Sequence, residues 1–117
     1  MNNSNLIKER YMRDDLPVRL GNLAANLARM GSFITNPTHH QTVNDLFTES
    51  KFFIEWTAAE TETEVAAELV ELQIQLARWQ LRLDDILSDA TQQAHVAGQL
   101  RDWSNRVLHV SGLMQAA

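Results

Sequence analysis

The side chains in this chain that could do chemistry are four histidines, the carboxylates and the hydroxyls, because cysteine is absent. Without thiols a disulfide framework, a thiolate metal site and a cysteine nucleophile are excluded. Helical di-metal sites use inward glutamates and a Glu three residues before a His. No glutamate holds that position before His39, His40, His95 or His109. His39 and His40 are neighbours, and neighbours on a helix point about 100° apart, so they do not converge on one ion. Glu68 with Glu71, and Asp84 with Asp85, are the carboxylate pairs that acid–base catalysis or a cation would need. Both pairs flank an apolar seam and read as solvated edges, with Arg78 and Arg82 expected to form ordinary surface ion pairs with Glu71 and Asp85. Ser50 falls on an apolar face, where a small side chain opposite Leu23 is the simpler explanation than a nucleophile. No glycine-rich phosphate loop occurs. The sequence therefore assigns no catalytic residue, no metal ligand and no cofactor, and the expectation is a protein that is not an enzyme. The rival reading is a small-ligand or metal-binding helical bundle using His39 and interior polar residues.

What positions these residues is a set of amphipathic helices. Leu16, Leu20, Leu23, Leu27, Met30 and Ile34 repeat at spacings of four and three, which is one face of a helix. Asp14 or Asp15 caps it, and Pro17 is tolerated in its first turn. Beside that seam lie Gly21, Ala24, Ala25, Ala28 and Gly31, small residues that let a neighbouring helix come close. Thr35, Asn36 and Pro37 end this helix and start a second, with Val43, Leu46, Phe47, Ser50, Phe53, Ile54 and Thr57 on its main face. A third seam runs through Val65, Leu69, Leu72, Leu76, Trp79, Leu83 and Ile86. Thr61 and Glu64 match a capping box that separates the second helix from the third. Ser88 or Asp89 caps the last, whose seam is Val96, Leu100, Trp103, Val107, Val110 and Met114.

The predicted fold is all-α, an up-down four-helix bundle, with Leu72 near Trp103 and Trp79 near Val96. The alternative fuses the second and third helices into one long bent helix, giving an elongated dimerising bundle, because no Gly, Pro or Asn occurs between positions 51 and 87. Residues 1–13 read as a flexible arm with at most a helical turn around Leu6 to Tyr11, and residues 14–117 as a single domain.

Two helices carry apolar residues on a second face. Phe52 and Trp56 point away from the second helix's main face, and Val70, Ile74, Ala77 and Leu81 lie nearly opposite the third helix's seam. A helix in a compact bundle meets two neighbours about 90° apart, so one domain does not cover both faces. These six residues are the predicted interface, for a homodimer or another protein partner. The competing explanation is a contact inside one bundle.

The net charge is -5, and the first thirty residues carry five Lys or Arg against three Asp or Glu. The basic residues Lys8, Arg10, Arg13 and Arg19 are too thinly spread to predict nucleic-acid binding. The sequence also lacks a signal-peptide pattern and any run of about 20 apolar residues, so no membrane partner is expected and a cytoplasmic location is the default.

Overall fold

The structure is a computed structural model that describes residues 3–112. Among these residues it is all-helical. The six α-helices are α1 (Asn3–Met12), α2 (Leu16–Phe33), α3 (His40–Thr57), α4 (Thr63–Leu81), α5 (Leu83–Leu87) and α6 (Ala90–Ser111). Two 3-10 turns, Pro37–His39 and Ala58–Glu60, precede and follow α3. α2 packs against both α3 and α6, α3 packs against α4, and α5 returns the chain onto α6.

Six helices replace the expected four for two local reasons. The stretch expected to be an arm forms α1, whose Asn5–Arg10 side chains are exposed while Tyr11 is buried in the core. The third seam is divided at Arg82, whose φ of -107° and ψ of 16° leave the helical region. Trp79, Leu83 and Ile86 nevertheless stay buried on both sides of the break.

The long fused helix does not form. α3 ends at Thr57, and α4 starts after Glu62, the cap residue, with φ -61° and ψ 153°. The expected capping box is absent as well: the Thr61 hydroxyl donates instead to the Ala58 carbonyl at 2.8 Å. Carbonyls at a helix end lack intrahelical donors, so the 3-10 turn draws the threonine backwards. The other two junctions follow the sequence. The Asn36 side chain accepts from the Thr38 amide at 3.1 Å, and Asp89 accepts from the amides of Thr91 and Gln92 at 2.9 and 3.3 Å. α6 stops at Gly112, whose φ of 86° is a left-handed conformation that favours glycine.

The α2–α6 contact explains why the last seam is rotated from its expected face. A Cβ on Gly31 would stand 3.3 Å from the Ala97 carbonyl oxygen, so the two backbones approach as closely as the small residues of α2 allow. Ala28 and Ala25 contribute less, since both are exposed. α6 answers with a small-residue row of its own: Ala97, Ser104 and Ser111 are buried with Leu100 and Val107. The Ser104 hydroxyl is satisfied by the Ala24 carbonyl at 2.7 Å. Trp103 and Val110, expected inside, are half-buried, and the Arg106 guanidinium lies 3.9 Å from the Trp103 ring centre. Met114 lies outside the described residues.

Trp79 and Val96 both line one crevice, together with Arg82 and Ile86. Trp103 shares a smaller one with Val65 and Leu69, one turn before Leu72.

Candidate functional site

On the outer side of α3 and α4 four large apolar side chains face solvent: Phe52 is 38% exposed, Val70 46%, Ile74 49% and Leu81 88%. Core packing selects which α4 residues these are. The Leu69, Leu72, Leu76 and Trp79 row is buried against the rest of the chain, so the row about 150° round the helix must turn outward. α3 is held on one flank of that row by glutamines. Gln73 donates to the Lys51 carbonyl at 3.1 Å, and Gln80 reaches the Asn44 and Thr48 side-chain oxygens at 3.0 and 2.9 Å. The space between the helices is a groove of about 480 Å³ with Phe52, Ile74 and Ala77 in its lining, edged by Lys51 and Glu55.

Of the six predicted interface residues, Phe52, Ile74 and Ala77 thus come together in this groove, and Val70 and Leu81 extend the stripe along α4. Trp56 is half-buried because α1 occupies its outer side: its ring lies 5.5 Å from Phe52 and 5.9 Å from Tyr11, with the Lys8 ammonium 5.9 Å from its centre. Part of the aromatic face on α3 is therefore covered from within the chain.

The helix that provides this cover is fixed by a polar cluster that sequence reasoning missed. Tyr11 stacks on Phe53 at 3.9 Å between ring centres. Its hydroxyl donates to the Arg19 carbonyl at 3.1 Å and shares a 2.8 Å hydrogen bond with the Thr57 hydroxyl. Burial pushes the Tyr11 phenol up to about 12, outweighing the Thr57 hydrogen bond and the Arg19 charge that favour ionisation. Arg19 is itself buried, donates to the Asp14 carbonyl at 3.0 Å and grips the Glu60 carboxylate through two hydrogen bonds of 2.8 and 2.9 Å. That bidentate bond raises the arginine's pKa and lowers the Glu60 carboxyl below its usual value. The one advance signal was Thr57, one of two hydroxyls, with Ser50, on a row that is apolar elsewhere. Nothing marked Arg19 as its neighbour.

A second, more polar pocket of about 340 Å³ lies where α1, α2 and α3 meet. Asn26, almost fully buried, forms its floor, donating to Glu49 at 3.1 Å and accepting from Arg29 at 2.6 Å. Ile7, Tyr11 and Phe53 supply an apolar wall, with Arg10 and Asp14 at the rim.

The remaining candidates are dispersed. The His39 ring packs 4.6 Å from that of Phe33, and His40 meets Asp84 at 3.5 Å on the surface. Among the described residues no three His, Asp or Glu side chains gather where a metal ion could bind. Ser50 is fully buried and its hydroxyl has no hydrogen-bond partner among the described residues. The basic residues of the N-terminal segment diverge: Lys8 lies over Trp56, Arg10 edges the polar pocket and Arg19 is engaged with Glu60. Glu68 pairs with Arg106 at 2.6 Å, whereas the ion pairs expected for Arg78 and Arg82 with Glu71 and Asp85 do not form among the described residues. No described helix is long and apolar enough to cross a membrane.

The class these features define is an all-helical domain with an apolar outer face. Compared with protein-family models, with curated proteins and with solved structures, the chain matches none.

Proposed function

We propose that this protein works by association and not by catalysis, as a homodimer joined through the outer face of α3 and α4. The scaffold in this reading is an up-down bundle of α2, α3, α4 and α6, supported by the packing of α2 on α3 and α6 and of α3 on α4. The observation that carries the proposal is the exposed set of Phe52, Val70, Ile74 and Leu81, of which Phe52 and Ile74 line the groove and Val70 and Leu81 extend the stripe along α4. Single exposed apolar residues are ordinary, but a contiguous set beside a groove marks an interaction surface. Their exposed fractions amount to roughly two whole side chains, so covering them contributes about 3–6 kcal/mol per copy. Lost translational and rotational freedom costs about 4–15 kcal/mol, so the two stripes reach micromolar strength only at the favourable end of these ranges, and the dimer needs the contacts that surround them as well.

Sedimentation of the wild type and of the double variant Ile74→Glu with Leu81→Glu tests this. The expected result is a dimer at tens of micromolar for the wild type and a monomer of unchanged helicity for the variant, because a buried unpaired carboxylate is costly. A monomeric wild type refutes the proposal.

The second reading, a small-ligand bundle, is favoured by the polar pocket floored by Asn26. A thermal-shift screen of small polar metabolites tests it, and a hit abolished by Asn26→Ala would support it.

A further inference from the structure

The charges beside the exposed stripe specify how a second copy would sit on it. Counting about 100° per residue, Glu71 and Arg78 lie within about 20° of each other and about 80° to one side of the stripe of Val70, Ile74, Ala77 and Leu81. Both are exposed, and neither has an ion-pair partner within the described chain. The opposite flank of the stripe is occupied by α3, through the Gln73 and Gln80 hydrogen bonds.

We infer that the occupant of this face is a second copy of the chain, with the two α4 helices antiparallel about a two-fold axis and Glu71 of each copy opposite Arg78 of the other. This rests on the association reading above and adds the partner's orientation and register. A two-fold axis perpendicular to a pair of antiparallel helices brings equivalent flanks together. In a parallel arrangement the charged flank would instead meet the α3 side of the other copy, where Gln73 and Gln80 are already engaged. When Val70 lies opposite Leu81 of the other copy and Ile74 opposite Ala77, Glu71 is level with Gln80. Arg78 is then two residues away, about 3 Å along the axis and within reach of its side chain. The same register closes the apolar layers and forms two symmetry-related ion pairs. Complementary charges at the edge of an apolar patch fix orientation and exclude other registers, which is their main role in interfaces.

Charge-reversal variants test the arrangement on the full chain, with association measured by sedimentation at low and high salt. Glu71→Arg alone and Arg78→Glu alone each place like charges across the axis, and each is expected to weaken the dimer by about tenfold or more at low salt. The double variant restores the pairs, and mixing the two single variants yields hetero-association stronger than either self-association. A role of these residues in the monomer's own stability would produce neither rescue nor preferential mixing. If the wild type dimerises, Ile74→Glu with Leu81→Glu abolishes the dimer and the charge reversals leave it unchanged, the antiparallel register is overturned while the association reading stands. If the wild type is monomeric, both fail together.

Discussion

Replacing Tyr11 by alanine should release α1 while α2 to α6 keep their structure. Tyr11 is 4% exposed, and deleting a buried aromatic ring of this kind costs about 3–5 kcal/mol. The loss also strands the Thr57 hydroxyl, which is fully buried and has Tyr11 as its partner, at about a further 1–3 kcal/mol. α1 has little to set against this. Its Asn5–Arg10 side chains are exposed, Met12 is only half-buried, and an isolated ten-residue helix is marginal in water. Once the docking free energy of α1 is exceeded, undocking is easier than unfolding, so the fall in global stability is capped below the full cost of the truncation. Hydrogen exchange resolved by segment measures this directly. Amides of α1 should lose protection in Tyr11→Ala while those of α2 and α6 change little, and trypsin should gain access to Lys8, Arg10 and Arg13. Tyr11→Phe keeps the stack on Phe53 and loses only the hydroxyl, so it should cost about 1–2 kcal/mol and leave α1 docked. Retained protection of α1 in Tyr11→Ala, or equal loss of protection throughout the chain, would refute the reasoning.

The same cluster predicts a pH dependence at both extremes. Above the ordinary tyrosine value of 10.0 the unfolded chain loses its Tyr11 proton while the folded chain holds it up to about 12, so stability should fall by about 1.4 kcal/mol per pH unit across that window. Tyr11→Phe should flatten this alkaline limb in denaturant titrations. In acid the sign reverses: the Glu60 carboxyl, held below its ordinary 4.5, contributes stability that is present above that value and lost as pH falls through its folded pKa, and Glu60→Gln should remove that dependence. Ser50→Ala removes a buried hydroxyl with no hydrogen-bond partner among the described residues, and chemical denaturation should show the variant as stable as the wild type or more stable by up to about 1 kcal/mol.

The helical content of this chain is a local property, and so it was legible in the sequence. Spacings of three and four through Leu20, Leu23 and Leu27, or through Leu69, Leu72 and Leu76, define a face whatever packs on it, and those residues are buried. Caps at Asn36 and Asp89 act within three residues and were readable for the same reason. Where two faces of one helix are nearly as apolar, periodicity identifies both and the exposed stripe of α4 follows from the better-packed seam opposite it. The rotation of α6 was not legible, because Trp103 outranks Ser104 in hydrophobicity. Ser104 is inside because the Ala24 carbonyl of α2, 80 residues earlier, accepts its hydroxyl. Nor could the sequence place α1, a segment without an apolar face. One aromatic ring and a hydroxyl pair between Tyr11 and Thr57, 46 residues apart, hold it, and that partnership exists only once α2 and α3 have brought Arg19, Thr57 and Glu60 together.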